Sequence, residues 1–153
     1  MPLNPDFEEF IHHLNAAQVE YMVVGAYAVI IYTEPRYTKD IAFLIRPESK
    51  NAKKVYKALK AFGAPLTDIT IEDLCNPEMI YQVGLEPNRI DILMGIEGIS
   101  FDKLWNNKQT KQYGKENLFV ISPEDLVETK KIAGRPQDLL DVAKLQRTVK
   151  IKS

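Results

Sequence analysis

At 153 residues, with 45% hydrophobic and 27% charged side chains, the chain has the length of one domain and the composition of a folded one, which excludes disorder. Twenty basic against 21 acidic residues leave a net charge of -1, so no overall field supports indiscriminate nucleic-acid binding and only a local basic groove would serve. The single Cys75 excludes an internal disulfide, and the adjacent His12 and His13 form no zinc-ligand spacing. The acidic start "MPLNPDFEEF" and the lack of a long apolar run predict no signal peptide, no membrane span and a cytoplasmic location.

In chain order, Asn4 before Pro5 and Asp6 predicts a helix start, with an N-cap side chain, a proline at the first position and an acid in the first turn. Phe7, Phe10, Ile11 and Leu14 follow at helical spacing and predict one buried face, with His12 and His13 a solvated pair beside it. "YMVVG" (21–25) reads as a short buried strand and "AYAVIIY" (26–32) as a short apolar helix, with Gly25 at the junction. After "TEPRYTK", where Pro35 disfavours helix for the residue before it, "DIAFLI" (40–45) is the next strand. "ESKNAKKVYKALKAFG" is an amphipathic helix that turns Ala52, Val55, Leu59 and Phe62 inward and ends at Gly63.

A short helix is expected around "IEDLC". "MIYQVGL" (79–85) and "RIDILM" (89–94), joined by the tight "EPN", are expected to pair as an antiparallel hairpin. "SFDKLWNN" predicts a short helix and "TKQYGKENLFVI" a further hairpin or edge strand. Ser122 and Asp125 predict a capping box opening "PEDLVETKKIA", Gly134 closes that helix, and Pro136 starts the last one. Alternating strands and helices with an antiparallel hairpin predict an α/β (α+β) fold, a mixed sheet flanked by helices, in one domain over 1–153 with helices 122–150 packed on it.

The chemistry sits on two strands. Alternation places Asp40, Ala42 and Leu44 on one face and Ile41, Phe43 and Ile45 on the other; likewise Arg89, Asp91 and Leu93 oppose Ile90, Ile92 and Met94. One acid therefore stands on the polar side of each strand. Two such carboxylates converging at a sheet edge suit Mg2+, a hard ion that takes one or two carboxylates plus substrate phosphates. Phosphoryl transfer asks mostly for positioning and charge neutralisation, and a glycine opening a helix, as in "VVGAYAV", offers backbone N–H groups and room for phosphates. Carboxylates more than about 8 Å apart would make a shared Mg2+ untenable without rearrangement.

"VVGAYAVIIYTEPRYTKDIAFLI", "RIDILM" and "KKIAGRPQDLLDV", in that order, resemble the nucleotidyltransferase superfamily with the polymerase beta type fold. Within it they resemble small bacterial nucleotidyltransferase-like proteins related to abortive-infection and toxin-antitoxin components. The resemblance implies transfer of a nucleoside monophosphate from an NTP, such as ATP, to an acceptor hydroxyl with Mg2+ or Mn2+. It places Asp40 and Asp91 as catalytic metal-binding acids, Gly25 and Ala26 in the phosphate loop, Arg36 and Thr38 in the loop before the metal strand, and Lys130 and Arg135 near a triphosphate. Ala42 stands where the family has its second acid and offers no ligand atom, so weak or absent catalysis is expected. An RNA or protein acceptor, an antitoxin partner and self-association come with the same resemblance. The alternative is an inactive binding module, or a toxin-antitoxin component acting on RNA or a partner protein.

Each residue also has a plainer reading. Asp40 would cap a turn, Asp91 would pair with Arg89, and Gly25 would be a tight turn. Arg36 would stack on Tyr37, Lys130 would complement a helix dipole, and the basic tail "KLQRTVKIKS" would be a solvated end.

Overall fold

The computed structural model describes residues 3–33, 40–84 and 88–149. Arg36 and Thr38, expected in the loop before the metal strand, lie outside the described residues. Helix α1 (Pro5–Ala16) opens as expected: Asn4 Oδ1 accepts from the N–H groups of Asp6 at 2.9 Å and Phe7 at 3.2 Å, and Phe7, Phe10, Ile11 and Leu14 are buried. Strand β1 (Tyr21–Val24) runs directly into α2 (Gly25–Tyr32), so Gly25 is the first helical residue. Strand β2 (Ile41–Ile45) leads to α3 (Ser49–Phe62), which ends at Gly63 in the left-handed region. A single 3-10 turn covers Asp73–Cys75 where a short helix was expected.

Strands β3 (Ile80–Val83) and β4 (Ile90–Leu93) pair antiparallel, and α4 spans Phe101–Asn107. The stretch "TKQYGKENLFVI" forms a full hairpin, β5 (Gln109–Tyr113) with β6 (Glu116–Val120). Within this hairpin β5 is the edge strand, because the buried Leu118 and Val120 carry β6 inward to lie parallel beside β1. Helices α5 (Pro123–Ala133) and α6 (Pro136–Thr148) close the described chain. At α5 only half of the capping box forms: Ser122 Oγ accepts from the Asp125 N–H at 3.1 Å, while the Asp125 carboxylate accepts instead from Asn107 of α4 at 3.2 Å.

Among the described residues six strands run in the order β3-β4-β2-β1-β6-β5, with β2 antiparallel to β1 and parallel to β4, so the sheet is mixed. On one face Phe43 meets Phe10 of α1 edge-to-face at 5.3 Å, and α1 packs in turn on α3. On the other face α2 packs on β1 and β2, with α5 and α6 outside it. Toward β3 that face opens, and Ile80 there is 58% exposed. No helix among the described residues is long and apolar enough to cross a membrane.

Candidate nucleotide and metal site

The strand register brings four residues into one row across the second face: Gln82 of β3, Asp91 of β4, Ala42 of β2 and Val24 of β1. Paired strands lie about 4.8 Å apart, so a carboxylate at position 42 would stand directly beside Asp91. The chain places a methyl group there. Asp40 stands one pleat back on the same strand, immediately before β2, where its side chain is 28% exposed.

Arg89 joins the two acids. It immediately precedes β4 and shares the face of Asp91; the pairing of β4 with β2 continues through the Ile41 N–H, which donates to Arg89 O at 3.1 Å. Its guanidinium makes a two-pronged contact with Asp91, Nε to Oδ1 at 2.8 Å and Nη2 to Oδ2 at 3.2 Å. The same Nη2 lies 3.2 Å from Asp40 Oδ2. Two carboxylate oxygens therefore lie within twice that distance of each other, inside the limit for a shared ion. The sequence offered Arg89 as a partner of Asp91. Its reach to Asp40 depends on the parallel pairing of β2 with β4, which no local pattern announces.

Gly25 enters α2 at φ +72°, a conformation that side chains rarely adopt, and a Cβ placed on it would lie 3.9 Å from the Ala42 Cβ. That is ordinary contact, so backbone conformation rather than lack of space calls for glycine here. No side chain caps α2, whose N-cap is Val24, so its first N–H groups, including that of Ala26, are not taken by a capping side chain. The start of α2 and the Ala42–Asp91 row are thus neighbours.

Lys130 and Arg135 lie in a different cluster, between α5 and α6. The Lys130 ammonium is 3.0 Å from Asp138 and 3.2 Å from Asp141, and both acids are 1% exposed. Arg135 Nε donates to Asp138 at 2.6 Å, and Gln137 donates to Asp141 at 3.0 Å. The Arg135 hydrogen bond, with Lys130 adding to it, holds the Asp138 carboxyl down at about 2. Lys130 is therefore committed to two buried carboxylates, whereas the Arg135 side chain is 75% exposed.

Asp40 Oδ1 is buried and has no hydrogen-bond partner among the described residues. An orphaned carboxylate oxygen beside a second carboxylate fits one hard cation. No group of three potential ligands occurs among the described residues, so the fit is to a single ion held from two sides. Arg89 supplies the positive charge between these acids in its place.

No protein-family model matches this sequence, and no curated protein does. Solved structures match over nearly the whole chain. The lincosamide antibiotic adenylyltransferase LnuA, solved with lincomycin bound, superposes with a TM-score of 0.63 at 14% identity, over 97% of this chain and 100% of that one. A protein of Thermotoga maritima described as a candidate nucleotidyltransferase gives 0.62 at 14% identity, over 95% and 96%. This chain has the nucleotidyltransferase fold. An antigenic nucleotidyltransferase-like protein of Paracoccidioides brasiliensis shares that fold at a TM-score of 0.54 and 13% identity, over 95% of this chain and 78% of that one. The mixed six-stranded sheet and its helices agree with the nucleotidyltransferase fold, as the sequence resemblance implied.

Proposed function

We propose that the fold of this chain is built to transfer a nucleoside monophosphate from an NTP to an acceptor hydroxyl, and that Ala42 leaves the transfer weak or absent. The observation that carries the reading is the row Asp91–Ala42 beside the start of α2, with the Asp40 carboxylate one pleat back. In the reaction the acceptor oxygen bonds to the α-phosphorus, the bond to the bridging oxygen breaks, and pyrophosphate leaves with the electron pair. The acceptor proton passes to water.

Asp40 and Asp91 would hold Mg2+ or Mn2+, which supplies neutralisation of the phosphate charge. Gly25 and Ala26 open α2 toward the phosphates, where backbone N–H groups and the positive end of the helix favour an anion. Lys130 reaches a phosphate only by leaving two buried acids, so its role in this reading is to hold α6 against α5. Arg135, largely exposed, has guanidinium N–H groups to spare for phosphate oxygens.

A second reading, a binding module without catalysis, is favoured by Arg89, which already pairs with both Asp40 and Asp91 and offsets one of their two charges. Radiolabelled NTP separates the two. With Ala42→Asp, Mg2+-dependent release of pyrophosphate and label transfer to an acceptor support the transferase reading. Failure of the folded variant to bind NTP or release pyrophosphate leaves the binding module.

A further inference from the structure

Two residues beyond Ala42, about 7 Å along the same face of β2, Leu44 lines a cavity of about 660 Å³. That volume lies within the usual range for small-molecule sites. Its walls include Ile96, Ile99 and Phe101, and the exposed Glu78 and Glu97 are also among its lining residues. One wall is held rigidly: a Cβ on Gly95 would fall 2.6 Å from the Pro77 carbonyl oxygen, so the end of β4 and the segment before β3 already touch.

The charge of this cavity is one-sided. Glu78 and Glu97 are exposed and have no ion-pair partner among the described residues, and no lysine or arginine lines the cavity. Arg46, which lies 4.5 Å over the Phe101 ring, is engaged by Glu20 and Asp102. A polyanion entering here meets two uncompensated carboxylates; an ammonium group meets two counter-charges. The aliphatic and aromatic walls call for an apolar body behind that charge.

We infer that this cavity binds a small organic cation, an amine carried on an apolar body. Its place on the face of the Ala42–Asp91 row makes that ligand the acceptor class, in preference to RNA. The use as an acceptor rests on the transferase reading; the binding does not.

Three indole probes share one body and differ in charge: tryptamine, the neutral alcohol tryptophol, and indole-3-propionate. Backbone amide shifts of the full chain are followed in low salt. Tryptamine at about 1 mM is expected to shift Ile96, Gly98 and Ile99, with tryptophol weaker and the propionate silent. Glu78→Gln with Glu97→Gln is expected to weaken tryptamine about fivefold and to erase the preference for charge, at an unchanged melting temperature. Equal affinity for the three probes overturns the inference, as does no tryptamine shift or a short RNA oligonucleotide binding these residues more tightly. Such an outcome leaves nucleotide transfer by Ala42→Asp untouched. Failure of that transfer with tryptamine bound leaves the cavity and overturns only the acceptor role.

Discussion

Arg89 Nη2 lies 3.2 Å from Asp40 Oδ2 while the same guanidinium grips Asp91, so a residue immediately before β4 pairs with an acid at the mouth of β2. Like charges facing each other across two strands would otherwise repel, and the guanidinium replaces that repulsion with attraction. The acid pair is thereby stable without metal. In the proposed metal site, an entering cation would compete with Arg89 for these oxygens.

Replacing Arg89 by Gln is accordingly expected to raise Mn2+ affinity about tenfold, since the ion no longer competes with a fixed charge. The same change should cost about 1–2 kcal/mol of stability in metal-free buffer, because two partly buried carboxylates lose their partner. Calorimetric Mn2+ titration and urea unfolding check both. Unchanged or weaker Mn2+ binding would show that Arg89 does not stand in the ion's place.

Gly25→Ala tests the entry to α2. The methyl group meets only the Ala42 Cβ at an ordinary distance, so the penalty comes from φ +72° and should be about 1–2 kcal/mol. Thermal unfolding reads it. A penalty near zero would show that the turn relaxes out of the left-handed region.

The α5–α6 cluster gives a prediction in pH. Asp138 titrates at about 2 in the folded chain against 3.8 for the ordinary side chain, held down first by Arg135. A depressed acid stabilises the fold above its unfolded value, and that stabilisation is lost as pH falls from 3.8 to about 2. Asp138→Asn should flatten the stability profile in this window. Lys130→Met, which removes the ammonium paired with the buried Asp138 and Asp141, should cost about 3 kcal/mol, measured by urea unfolding near neutral pH.

Gly95→Ala is expected to destabilise the chain by about 1–3 kcal/mol, because the added Cβ collides with the backbone of Pro77 rather than with a movable side chain. The melting temperature checks this. The neighbouring Gly98 has nothing within 4 Å of an added Cβ, so the strain there is one of backbone conformation alone.

The elements were legible where local chemistry decided them. Asn4, Gly63, Ser122 and Gly134 mark helix ends by capping, and alternation on "DIAFLI" separates the Phe43 face from the Ala42 face. The β3–β4 hairpin was readable from "EPN" between two apolar runs. The order of strands was not, because β2 beside β4 and β6 beside β1 are pairings between distant segments. For the same reason the contact of Arg89 with Asp40 was hidden while its contact with Asp91, two residues away, was foreseeable. The Lys130 cluster follows a similar logic: Asp138 and Asp141 come one helical turn apart on α6, but only the packing of α5 on α6 shows that they receive Lys130.

In the proposed site, residue 42 is the missing ligand position beside Asp40 and Asp91. Mn2+ binding followed by electron paramagnetic resonance tests it most directly, on the native chain, on Ala42→Asp, and on Ala42→Asp with Asp91→Asn. Binding at least about tenfold tighter is expected with Ala42→Asp, with loss of that gain when Asp91 is also changed. Equal Mn2+ affinity of the native chain and Ala42→Asp, both folded, would contradict it.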